Sequence, residues 1–82
     1  MMTDLEIKVR QLLSEISGRD VGVAGLDADL LNVLNLDSLT GLRMLAGVEK
    51  RFGVRFPDQR LGEFRTLNQI LLYVAEQIGD NA

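Results

Sequence analysis

Leu34-Asn35-Leu36-Asp37-Ser38-Leu39 is the stretch on which the reading of this chain turns. Asp37 is a favoured type of helix N-cap, because its side chain can accept a hydrogen bond from an orphaned amide of the first turn. Behind it Leu42, Leu45, Val48 and Phe52 follow helical spacing, with Leu39 and Met44 displaced towards the other side. The pattern predicts a helix over Ser38–Arg51 with the Ser38 hydroxyl exposed in its first turn. Gly41 and Gly47 fall inside it, each costing about 1 kcal/mol relative to alanine, so tertiary packing must hold the helix. Gly53 stops it.

Working outward, Thr3 and Glu6 have capping-box spacing, and Leu5, Val9, Leu12, Leu13 and Ile16 recur behind them, predicting a first helix over Asp4–Ser17. Gly18 ends it. The connection from Gly18 to Leu36 is unusually long for so small a domain, and loops of that kind are often functional. Leu26, Leu30 and Leu34 would tie it to the core, with a turn of helix around Asp29–Val33. On the other side, Phe56-Pro57-Asp58 marks a turn, because the residue before proline avoids the helical conformation. A short third helix around Gln59–Phe64 is expected. Thr66 and Gln69 form a second capping-box pair, and Leu67, Ile70, Leu71, Val74 and Ile78 give the cleanest apolar stripe, predicting a fourth helix that ends at Gly79. The expected core is Leu42, Leu45, Val48, Phe52, Ile70, Leu71 and Val74, closed by Leu12, Leu13 and Ile16. This is an all-α architecture of three substantial helices and a short one, read as a single domain over residues 1–82.

Composition narrows the function. The 82 residues contain no cysteine and no histidine. Disulfides, thiolate chemistry, the usual zinc ligands and the usual general base are therefore excluded, and an enzyme is not expected. The remaining carboxylates, such as Asp27, Asp29 and Asp37, read as loop and cap residues. A net charge of −3 argues against nucleic acid as a partner. No apolar run approaches the roughly 20 residues of a membrane span, and the charged N-terminal stretch lacks the apolar core of a signal peptide. The expectation is a cytoplasmic monomer whose partners are proteins.

The segment from Asp29 to Leu39, centred on Asp37-Ser38-Leu39, resembles the phosphopantetheine attachment region of acyl and peptidyl carrier proteins. Phe52-Gly53-Val54 and Phe56-Pro57 look like that family's exit from its second helix, and Thr66-Leu67 resembles the entry to its fourth. The likeness covers almost the whole chain. It implies a four-helix bundle of acyl-carrier type, with three long helices, one short and a long loop between the first two. It also implies a 4′-phosphopantetheine arm joined to Ser38 as a phosphodiester by a separate phosphopantetheinyl transferase. The arm's thiol would hold acyl intermediates of fatty-acid, lipid or polyketide-type biosynthesis as thioesters, and acyl-transferring or synthase enzymes would dock on the second helix. A helix N-terminus suits a phosphodiester anion.

Two departures stand out. Asn35 occupies a place where the family often has glycine, and asparagine also tolerates a left-handed backbone. The helix that begins at Ser38 carries Arg43, Lys50 and Arg51, whereas fatty-acid carriers are typically acidic there. From Arg43 to Arg65 six basic residues face three acidic ones. Such a run reads either as a solvated face or as the mark of specialised partners. An aminoacyl or peptidyl carrier, and a helical interaction module that is never modified, remain open as alternatives.

Overall fold

The computed structural model describes residues 3–79. Four α-helices follow one another: α1 (Asp4–Ser17), the one-turn α2 (Leu30–Val33), α3 (Ser38–Phe52) and α4 (Leu67–Gly79). A 3-10 turn, Val21–Val23, precedes α2, and a longer 3-10 segment, Asp58–Glu63, lies between α3 and α4. The described residues contain no strand.

The caps account for the helix starts. The Glu6 amide donates to Thr3 Oγ1 at 3.1 Å, but the Glu6 carboxylate turns to Arg10 instead of closing a reciprocal box. At α4 the box does close: the Gln69 amide donates to Thr66 Oγ1 and the Thr66 amide donates to Gln69 Oε1, both at 3.1 Å. Asp37 caps α3 by accepting the Thr40 amide at 2.8 Å. Gly18 and Gly53 close α1 and α3 with φ of 71° and 67°, in the left-handed region where a Cβ is penalised.

The glycines inside α3 have a steric purpose. A Cβ built on Gly47 would collide with Ile16 Cδ1, so the missing side chain is what lets α1 lie close against α3. Gly41 faces Leu31, whose Cδ2 would sit 3.1 Å from an added Cβ. This also explains a correction to the expected core. The inward stripe of α3 runs Gly41, Met44, Leu45, Val48, with Met44 only 3 % exposed, while Leu42 is 47 % exposed. Leu45 and Val48 are buried as expected; because Leu31 fills the place opposite Gly41, that inward position carries no apolar residue, and Met44 takes the place in the stripe that the sequence pattern assigns to Leu42. Phe52, Leu71 and Ile16 pack on the core but are only partly buried, and Ile78 is exposed.

The long connection is held by more than leucines. Val21 and Leu30 are buried and Leu34 packs against the core, but Leu26 is exposed and contributes its carbonyl, which accepts the Asn68 amide at 2.9 Å. Arg10, 9 % exposed, reaches from α1 to donate to the Val21 carbonyl at 3.0 Å and the Ala24 carbonyl at 2.6 Å. The Val21 carbonyl also accepts the Ala24 amide at 3.2 Å, whereas the Ala24 carbonyl depends on Arg10.

Candidate functional site

Ser38 is the first residue of α3 and is exposed. Its position follows from the turn before it. Asn35 takes φ of 53°, the left-handed conformation expected of it, and the Leu36 amide donates back to the Leu31 carbonyl at 2.9 Å, so the chain leaves α2 and enters α3 within a few residues. Capping belongs to Asp37, not to Ser38. The Ser38 hydroxyl engages in no hydrogen bond among the described residues and is open to chemistry. The Asp37 carboxyl is held below the ordinary carboxylate range, chiefly by the Thr40 amide and with a contribution from the charge of Arg43.

Beside Ser38 opens a cleft of about 240 Å³ between α2, α3, the second 3-10 segment and α4. Leu31, Leu42, Met44, Leu61 and Phe64 supply apolar walls, and Gly41 and Gly62 leave room in them. Arg65 lines the same cleft. Its Nη2 lies 2.7 Å and its Nε 2.9 Å from Asp29 Oδ2, while Asp29 Oδ1 accepts the Leu31 amide and so caps α2. Desolvation pushes the Asp29 carboxyl up, but the hydrogen bond and charge of Arg65, with the Asn32 and Leu31 amides, outweigh it and the group titrates below its ordinary value. The Leu30 amide also donates to the Arg65 carbonyl at 2.9 Å.

The sequence singled out Ser38 and counted Asp29 as a cap and Arg65 as part of a basic run. It missed that these two meet, because a contact across 36 residues leaves no periodic trace. An unengaged hydroxyl on an exposed first turn, next to an apolar cleft, fits a tethered arm with a thioester-bound chain: the arm needs a nucleophilic oxygen reachable by a transferase, and the chain needs apolar wall. No group of His, Cys, Asp or Glu suited to a metal occurs among the described residues, and no helix there is long and apolar enough to cross a membrane.

Comparison with known proteins agrees with this geometry. The family model described as the phosphopantetheine attachment site matches residues 8–74. The anthracycline acyl carrier protein DauA of Streptomyces sp. (strain C5) is 31% identical over 80 residues, covering 94% of this chain and 95% of that protein. The anthracycline acyl carrier protein DpsG of Streptomyces peucetius is similar to the same extent. An acyl carrier protein of Rhodococcus erythropolis is 26% identical over 72 residues, covering 88% of this chain and 79% of its own length. Members of this family are carriers rather than catalysts; they work with a phosphopantetheinyl transferase and with synthase or acyl-transferring enzymes. With a family match across most of its length and a set of acyl-carrier relatives, this chain belongs to the phosphopantetheine-attachment family as an acyl carrier bearing a covalent 4′-phosphopantetheine group.

Proposed function

We infer that Ser38 is the attachment residue and that residues 1–82 form a single carrier domain serving polyketide-type assembly in the cytoplasm. The observation that carries the attachment is the exposed Ser38 hydroxyl, left free by Asp37 at the start of α3 and opening on the apolar cleft. Attachment needs a phosphorus–oxygen bond from Ser38 Oγ to the pantetheine phosphate of coenzyme A, with adenosine 3′,5′-bisphosphate leaving and the serine proton passing to the transferase. Once bound, the group supplies a thiol that holds an acyl chain as a thioester. Ser38 positions that arm, and Leu42, Met44 and Phe64 offer apolar surface to whatever it carries. The two Streptomyces relatives, named for anthracyclines, support a polyketide-type cargo, and the relatives named above favour an acyl over an aminoacyl load.

Intact mass after incubation with a broad-specificity transferase and coenzyme A tests the reading. One phosphopantetheine should add to the wild type and none to Ser38→Ala. Addition to the alanine variant would move the site elsewhere, and an unchanged wild-type mass with several transferases would overturn the assignment.

A further inference from the structure

The side of α3 turned away from the bundle holds Leu39, Leu42, Arg43, Ala46 and Lys50, all of them exposed. At about 100° per residue, Leu39, Arg43, Ala46 and Lys50 fall on one stripe, with Leu42 at its edge towards Ser38. A single exposed leucine is ordinary. Here Leu39 is 59 % and Leu42 47 % exposed, within about one turn of the same serine. The charges beside them are equally unspent. Arg10, Arg60 and Arg65 are each in an ion pair, whereas Arg43 and Lys50 form none among the described residues. The acid within α3, Glu49, is half-buried and its Oε2 accepts the Phe56 amide at 2.7 Å. Asp37, the acid that feels Arg43, is engaged in capping.

Building on the assignment of Ser38, and on the docking of partner enzymes at this helix that the family implies, we propose that the stripe selects an acidic partner surface. That surface has an apolar depression for Leu39 and Leu42 and carboxylates set roughly 10 Å apart for Arg43 and Lys50, the rise of seven helical residues. An enzyme taking an arm from Ser38 must bring its tunnel mouth against the start of α3, so these side chains are met in every productive encounter. Charge complementarity there governs association rate and partner choice, and like charges suppress the wrong pairing. The neighbouring chain reinforces the selection. Although the chain carries −3 overall, the segment from Arg43 to Arg65 holds six basic residues and three acidic ones, so the approach to α3 is locally basic along the chain.

The test uses the loaded carrier and two forms of one ketosynthase: one with an arginine- and lysine-rich tunnel mouth, the other with those residues replaced by glutamate. Turnover of a free acyl-pantetheine thioester, which has no docking face, establishes that both forms are active. At an ionic strength near 10 mM, where screening extends over about 30 Å, the wild-type carrier should favour the glutamate mouth by about tenfold in kcat/KM. Arg43→Glu combined with Lys50→Glu should reverse that preference, and both preferences should shrink at about 0.15 M salt. Arg51→Glu, about 100° round the helix from Lys50, should leave it within roughly twofold. Equal preferences in wild type and double variant, or an Arg51→Glu effect as large as that of the pair, would overturn the proposal. Intact mass separates this outcome from failure of the attachment reading, because a carrier that loads and shows no charge preference refutes the docking face alone.

Discussion

Arg65 Nη2 lies 2.7 Å from Asp29 Oδ2, joining the residue that caps α2 to the residue two before α4. The ion pair is only half shielded, so its Coulomb attraction adds little by itself. Its effect lies in register. Asp29 holds the Leu31 amide with one oxygen and Arg65 with the other, the Leu30 amide donates to the Arg65 carbonyl, and the Asn68 amide donates to the Leu26 carbonyl. Three of these contacts, Arg65 with Asp29, the Leu30 amide with Arg65 and the Asn68 amide with Leu26, stitch the long connection to the start of α4, along one side of the cleft beside Ser38.

Stability conferred by Asp29 should depend on pH with a definite sign. Its folded-state pKa is depressed, so its contribution is complete above the ordinary carboxylate value of about 3.9 and is lost as pH falls through the lower folded value. Thermal melts of wild type and Asp29→Asn should therefore differ at pH 7 and converge towards pH 2.5. A gap that persists undiminished in acid would show that the carboxylate charge is not what holds the stitch.

Arg10 should matter more than a surface arginine. Arg10→Met keeps much of the volume but leaves the Ala24 carbonyl without its donor and the Val21 carbonyl with the Ala24 amide alone, which should cost about 1 to 3 kcal/mol in urea unfolding. A loss below about 0.5 kcal/mol, as for an ordinary surface substitution, would mean that water replaces the guanidinium without penalty.

Gly47 and Ile16 should behave as a coupled pair. Gly47→Ala gains about 1 kcal/mol of helix propensity but sets a methyl group against Ile16 Cδ1. Ile16→Val removes that atom, so it should cost less in the alanine background than in the wild type, by at least about 0.5 kcal/mol in a double-mutant cycle. Strict additivity would show that α1 and α3 have slack at this crossing.

Within α3, Met44→Ala should cost about 2 to 5 kcal/mol and Leu42→Ala well under that, since only Met44 is buried. Denaturant midpoints of the two variants check the assignment of the inward stripe, and a larger loss for Leu42→Ala would reverse it.

The helices were legible because each carries its own punctuation: Thr3 with Glu6, Asp37, Thr66 with Gln69, and the stops at Gly18 and Gly53. The place of Ser38 at the start of α3 was legible because the cap before it, Asp37, is a strong one. In α3 Leu45 and Val48 were legible as inward, but the burial of Met44 in place of Leu42 was not, because Gly41 occupies an inward position whose space is filled by Leu31 from another helix. The 3-10 turn at Val21–Val23 and the burial of Arg10 were invisible for a related reason: they answer to carbonyls of an irregular loop, and no spacing in the sequence announces them. Leu26 was expected to anchor the loop by its side chain and does so by its backbone.

Asp37 caps α3, and Ser38 beside it takes no part in the cap. With the Thr40 amide already held by Asp37, a group joined to Ser38 Oγ, as proposed above, would remove no bond from the scaffold. Ser38→Ala should for the same reason leave the melting temperature almost unchanged, which calorimetry can check. A carrier is loaded, emptied and handed from one enzyme to the next many times, and a helix start indifferent to its passenger lets every stage present the same body to the next partner.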